Sequence, residues 1–286
     1  MMYETMGFTD FTVHLADPSC VGTEIHTGNT DQRSELNRML REITEMASLD
    51  IGRRLGDVKS MLASKGCIHF NAMIMDQRVL ESSSRPDWLD LHETFTLLLD
   101  PRPADARAKL ERAADWGFKG IKFHPYMQSL DDSDFPAACA VARAAEDIGM
   151  WIAIDCSYGT LKVFEHNGVR LLATIAEAVT RAPVIALHSG GRLVLETMSI
   201  AIAASNVFME MSLSIPFWMG SSVEQDLAFA IRKVGIERCM FSSDHPFIDI
   251  DTALAETHAF LERNSFSPQD QEQVFARTGK RLWNLP

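Results

Sequence analysis

Residues 94–124 read TFTLLLDPRPADARAKLERAADWGFKGIKFH. The run at 94–99 is short, apolar and bounded by a polar turn, as a buried strand is. Pro103 suits the first turn of a helix and Gly117 its end, which predicts a helix over 103–117. A second strand-like run, KGIKFH, follows at 119–124. Strand, helix and strand within about thirty residues form a βαβ unit, whose strands are parallel and whose crossover is right-handed.

The same pattern repeats in both directions. Upstream lie FTDFTVHL (8–15) and CIHFNAMIM (67–75); downstream lie WIAID (151–155), VIALH (184–188), VFMEMS (207–212) and RCMFSSD (238–244). With the two above, eight strands are expected. Helix 132–149 ends on Gly149, and helix 221–235 opens on a capping box of Ser221 and Glu224 and ends on Gly235. Helix 31–47 carries Leu36, Met39, Leu40, Ile43 and Met46 on one face, and helix 268–284 starts at Pro268 after Ser267. Eight such units in 286 residues favour an α/β fold closed as a single (β/α)8 TIM barrel. An open doubly wound sheet would show a glycine-rich phosphate loop after its first strand, but LADPSC follows His14. The chain reads as one domain over 1–286, with 16–65 as a helical insertion over the barrel mouth.

Composition narrows the function. Apolar residues make up 46%, and no apolar run reaches the length of a membrane span. The opening MMYETMGF lacks the basic and apolar regions of a secretory signal. The cysteines (Cys20, Cys67, Cys139, Cys156, Cys239) are odd in number and form no CxxC pair, which suits free thiols in a reducing cytoplasm. A net charge of −12 argues against a nucleic-acid or anionic-membrane surface and leaves a small-molecule substrate.

In such a barrel chemistry belongs at the C-terminal ends of the strands. Those ends carry His14, Lys122 with His124, Asp155, His188, and Asp244 followed by His245. Alternation along the first strand places Asp10, Thr12 and His14 on one face. A lone histidine is more often structural, the reading given to His26, His69, His92, His166 and His258. The others converge, and Asp155 and Asp244 end apolar strands where a buried carboxylate needs a cation or donors.

Several motifs occur together in order. DFTVHL resembles a D-x-H-x-H first strand, GFKGIKFHP (117–125) a G-x-K-x-H-P fourth strand, and VIALHSGG (184–191) an h-x-x-H-x-G-G sixth strand. NVFMEMS (206–212) resembles the seventh strand, and CMFSSDHPF (239–247) a G-S-D-x-P eighth strand. The chain resembles the amidohydrolase superfamily over nearly its whole length, within the amidohydrolase-related group that includes mononuclear-metal decarboxylases and metal-free lactonases. It departs at Thr12 and Asp155, where that pattern has histidines, and at Ser242, where it has glycine.

The resemblance implies a hydrolase of a small carboxylated lactone, ester or amide, with water activated by Asp244 and with His188 and His124 as further catalytic residues. Two readings of the site stay open. In one, His14, Asp155, His188 and Asp244 hold a single zinc or manganese ion. In the other no metal is present, and Lys122, His124 or Arg192 stabilises the oxyanion. Lys122, Arg192 and Trp218 are the candidate substrate-binding residues; Phe217 and Trp218 line an apolar pocket or pack under the insertion. A decarboxylase and a non-catalytic ligand-binding protein are the alternatives. A homodimer is the assembly the resemblance implies, although no stretch marks its interface.

Overall fold

The βαβ unit at 94–124 folds as read. In the computed structural model, β3 (Phe95–Leu98) leads through α2 (Ala106–Asp115) to β4 (Gly120–Phe123), and the two strands pair in parallel. The structure describes residues 7–15, 51–92, 94–157 and 161–285. Strands β1 (Phe8–His14), β2 (Cys67–Ile74), β5 (Trp151–Asp155), β6 (Val184–Leu187), β7 (Val207–Glu210) and β8 (Cys239–Met240) complete one sheet in sequence order, every neighbouring pair parallel. Helices α3 (Phe135–Asp147), α4 (Gly168–Ala178), α5 (Val194–Ala203), α6 (Ser222–Val234) and α7 (Ile250–Arg263) alternate with the later strands. The protein is an α/β TIM barrel.

Residues 51–64 of the expected insertion form α1 (Ile51–Ser64), which packs on β2 and the turn Asp87–Leu91. Its buried residues Ile51, Leu55, Val58 and Leu62 recur at helical spacing. The rest of that insertion, with helix 31–47, Cys20 and His26, lies outside the described residues. No helix among the described residues is long and apolar enough to cross a membrane.

Three local expectations are corrected. The strand expected over 238–244 pairs only as Cys239–Met240. Phe241 N–H turns to the Val274 carbonyl at 3.0 Å, and Ser242 and Ser243 turn to the Asp10 side chain. Alternation along β1 is interrupted: Asp10 pairs with Phe70 and Val13 with Ala72, so β1 holds one extra residue there. The freed backbone is met by side chains, Thr12 N–H donating to Ser242 Oγ (2.5 Å) and Asn71 Nδ2 to the Phe11 carbonyl (2.8 Å). At α6, Ser221 accepts from Val223 N–H rather than Glu224 N–H, and Glu224 accepts from Gly220 N–H, one residue before the expected partner, so Ser221 caps the helix without a capping box. The predicted helix 268–284 begins on a true capping box, Ser267 with Asp270, and is widened by a π-turn at Gln273–Arg277.

Candidate active site

Asp155, the last residue of β5, is buried to 2% exposure and is the hub of the barrel mouth. Its Oδ2 lies 3.0 Å from Lys122 Nζ, 3.2 Å from His124 Nε2 and 3.4 Å from His188 Nε2. Its Oδ1 accepts from Ser157 N–H (3.1 Å) and Ser157 Oγ (2.5 Å), and Tyr126 OH stands 3.2 Å behind that hydroxyl. Burial pushes the Asp155 carboxyl up, but His124, Lys122 and His188 together hold it well below the usual carboxylate range. His188 shows the reverse balance: burial pulls it down, and Asp155 followed by Asp244 lifts it to about 9. It is therefore an imidazolium at neutral pH. Burial drives His124 down to about 3, against the pull of Asp155, so its ring is neutral.

The turn carrying His188 is held in an unusual conformation. His188 and Ser189 are left-handed (φ 60° and 50°), and Gly190 and Gly191 continue with φ 77° and 47°. Such positions persist only where surrounding contacts over-determine them. Here Glu210, at the end of β7, supplies them: its carboxylate accepts His188 N–H at 2.9 Å and Ser212 N–H at 2.8 Å. His188 Nδ1 reaches Ser212 Oγ at 2.9 Å, Ser189 Oγ donates to the Glu210 carbonyl, and Ser214 Oγ donates to the His188 carbonyl. Burial raises the Glu210 carboxyl. Sequence reading missed Glu210 because the expected strand ran on to Ser212 and placed it inside; the strand in fact ends at Glu210, where a buried carboxylate carries the signal that singled out Asp155 and Asp244.

On the opposite side, His14 Nε2 lies 3.5 Å from Asp244 Oδ1. A carboxylate only accepts, so a hydrogen bond to Asp244 requires the proton on Nε2, which leaves the lone pair on Nδ1, a buried atom with no hydrogen-bond partner among the described residues. Burial lowers the His14 pKa and the Asp244 hydrogen bond partly opposes that, leaving a neutral ring. Phe247 packs edge-on to it at 5.2 Å. Asp244 also has a left-handed backbone, φ 60°. His14 and His188 both sense Asp155 and Asp244, so the two groups form one charged centre. Arg192 and Trp218 stand further out. Arg192 is exposed, its guanidinium 5.1 Å over the Phe164 ring on the loop after β5. Trp218, half-buried after β7, packs edge-on against Phe217.

A family model described as Amidohydrolase matches residues 69–285. The chain belongs to the amidohydrolase family. Solved structures share its fold at low identity. One is described as a probable 2-pyrone-4,6-dicarboxylic acid hydrolase from Acinetobacter baumannii with citric acid bound (TM-score 0.64, 11% identity, 98% of this chain and 100% of that one). Another is a dihydroxybenzoic acid decarboxylase from Polaromonas sp. JS666 with bound manganese and the inhibitor 2-nitroresorcinol (TM-score 0.60, 14% identity, 98% and 97%). A third is 5-carboxyvanillate decarboxylase from Sphingomonas paucimobilis (TM-score 0.60, 12% identity, 99% and 100%). No curated protein matches the amidohydrolase chain.

The manganese in the Polaromonas neighbour shows that barrels of this fold take a divalent ion. The donors here do not form a ready-made ligand set. Among the described residues no three His, Cys, Asp or Glu side chains are arranged to hold a metal. Asp155, one expected ligand, already has an ammonium 3.0 Å from Oδ2, and a resident cation repels a second. Thr12 offers only a hydroxyl, which stays protonated.

Proposed function

We propose that this amidohydrolase opens a small carboxylated lactone or ester without a metal ion. The observation that carries the reading is the pair of cations on one buried carboxylate: Lys122 at 3.0 Å and the His188 imidazolium at 3.4 Å from Asp155 Oδ2, with Asp244 and His14 beside them. A preorganised positive centre does for a developing oxyanion what a Lewis acid would otherwise do. Asp244, oriented by His14, takes a proton from water as the hydroxyl adds to the carbonyl carbon. The carbonyl oxygen becomes the oxyanion and is met by His188 and Lys122. Collapse expels the ring or ester oxygen, which receives the proton held on Asp244. One water is consumed, and a carboxylic acid and an alcohol or enol result.

His124, neutral, keeps Asp155 charged and in place. Arg192, free to swing off Phe164 at the rim, supplies a bidentate grip for a substrate carboxylate, and Trp218 gives an apolar wall. The A. baumannii neighbour supports a pyrone dicarboxylate as the first compound to test.

The test is loss of pyrone absorbance with purified protein, with and without chelator, alongside metal analysis. Turnover that survives chelation in metal-free protein is expected, and Asp244→Asn should lower kcat by at least about 1,000-fold. Stoichiometric metal with chelator-sensitive turnover would overturn the metal-independent reading. The second reading is decarboxylation, supported by the hydroxybenzoate and vanillate decarboxylase neighbours and by an imidazolium able to protonate carbon. Carbon dioxide release from dihydroxybenzoates, with the pyrone untouched, would select it.

A further inference from the structure

A closed barrel needs its last strand hydrogen-bonded to its first, and here that seam is nearly bare. Among the described residues, β1 and the segment after β8 share one isolated bridge, Val13 with His245, with His14 N–H donating to the His245 carbonyl at 2.7 Å. Side chains replace the rest of the ladder. Asp10, fully buried on β1, accepts from Ser242 Oγ at 2.8 Å, Ser243 N–H at 2.9 Å and Ser243 Oγ at 2.5 Å. Ser242 Oγ in turn accepts Thr12 N–H, and Ser243 Oγ accepts His245 N–H at 3.0 Å. The residue enclosed between Ser243 and His245 is Asp244, in its left-handed conformation.

We propose that Asp10, acting through Ser242 and Ser243, is the positioning residue that sets Asp244 against His14. Asp10 itself touches neither residue. It fixes the backbone on both sides of Asp244: directly at Ser243 N–H, and through the Ser243 hydroxyl at His245 N–H. His14 lies on the same strand as Asp10, so one carboxylate ties both halves of the base pair to a common frame. Without it, the hydrogen bonds still joining the two halves across the seam, among the described residues, are His14 N–H to the His245 carbonyl and Thr12 N–H to Ser242 Oγ. The inference builds on the assignment of Asp244 as base, but the geometry it predicts is readable without any substrate.

The test uses full-length Asp10→Asn and Ser243→Ala. With histidine labelled by nitrogen-15, long-range proton–nitrogen spectra at neutral pH report the His14 tautomer. The wild type should show one tautomer with the proton on Nε2. Ser243→Ala, with a melting curve that proves it folded, should show mixed tautomers, as should Asp244→Asn. Should Ser243→Ala fail to fold, Asp10→Asn, which preserves volume and one acceptor oxygen, carries the same measurement. With the lactone as substrate, either folded variant should lose about 10–100-fold in kcat with KM within about twofold, because a base misplaced by an ångström costs that much. A retained Nε2 tautomer together with unchanged kcat in a folded variant would overturn the proposal. If the wild type turns over no lactone, the hydrolase reading fails while the tautomer result still decides this one.

Discussion

Lys122 is the residue at which the proposed chemistry and the stability of this protein meet. It is 1% exposed, and its charge is balanced by Asp155, itself 2% exposed. Removing one partner of a buried pair leaves the other charge uncompensated, which typically costs about 3–5 kcal/mol. Lys122→Met is expected to lower the unfolding free energy by about that amount in urea titrations. The double variant Lys122→Met with Asp155→Asn should recover part of the loss, because the buried carboxylate that had lost one of its two cations is then neutral as well. Additive losses would show that the two side chains do not act as a pair. At this scale the sequence was informative about which residues matter: an ionisable group ending an apolar strand demands a partner. It was silent on who the partner is. Asp155 read equally well as a metal ligand, and only the convergence of Lys122, His124 and His188 on one oxygen shows how its charge is met.

The elements that carry the site are turns in left-handed backbone conformations, disfavoured for His188, Ser189 and Asp244 and natural only for glycine. Gly190 is the clearest case: its φ of 77° suits glycine, and a Cβ there would lie 2.0 Å from Thr197 Oγ1. Gly190→Ala should therefore destabilise the protein by about 1–3 kcal/mol, measured by chemical denaturation, and reduce turnover by displacing His188. An unchanged midpoint would mean that the turn is not constrained as described. Element order and type were legible because period-two and helical patterns are local. Element ends were not. Strand β8 stops at Met240 because Phe241, Ser242 and Ser243 find partners in Val274 and Asp10, both remote in sequence. The bulge in β1 was invisible for the same reason, since Thr12 N–H leaves the ladder for Ser242. Thr12 and Ser242, two departures from the family motifs, thus prove to be hydrogen-bonded to each other.

For the molecule as a whole, the buried charges predict how stability changes with pH. The folded-state pKa of His188 is raised to about 9 above an ordinary 6.5, so its stabilising contribution is complete below 6.5 and is lost as pH rises through about 9. Asp10, raised to about 7, loses its contribution as pH rises from the ordinary carboxylate range to about 7, so it is spent before most of the His188 loss occurs. The melting temperature is expected to fall between about pH 7 and about pH 9, and that fall should be reduced in His188→Gln. An equal fall in wild type and variant would refute the assignment of an imidazolium at 188. His92 and His245, lowered to about 4 chiefly by burial, work in the other direction: their contribution is present above 6.5 and is lost as pH drops toward 4.

The sequence by itself determined the barrel, the family and the strand ends where ionisable groups gather, because apolar periodicity and motif order are properties of neighbouring residues. The tertiary structure alone decided how those groups are paired. Forming the sheet sets β5 between β4 and β6, and closing it brings β1 to the segment after β8. Only then does a carboxylate acquire its cations, a histidine its charge state, and Asp10 its grip on the residues that flank Asp244.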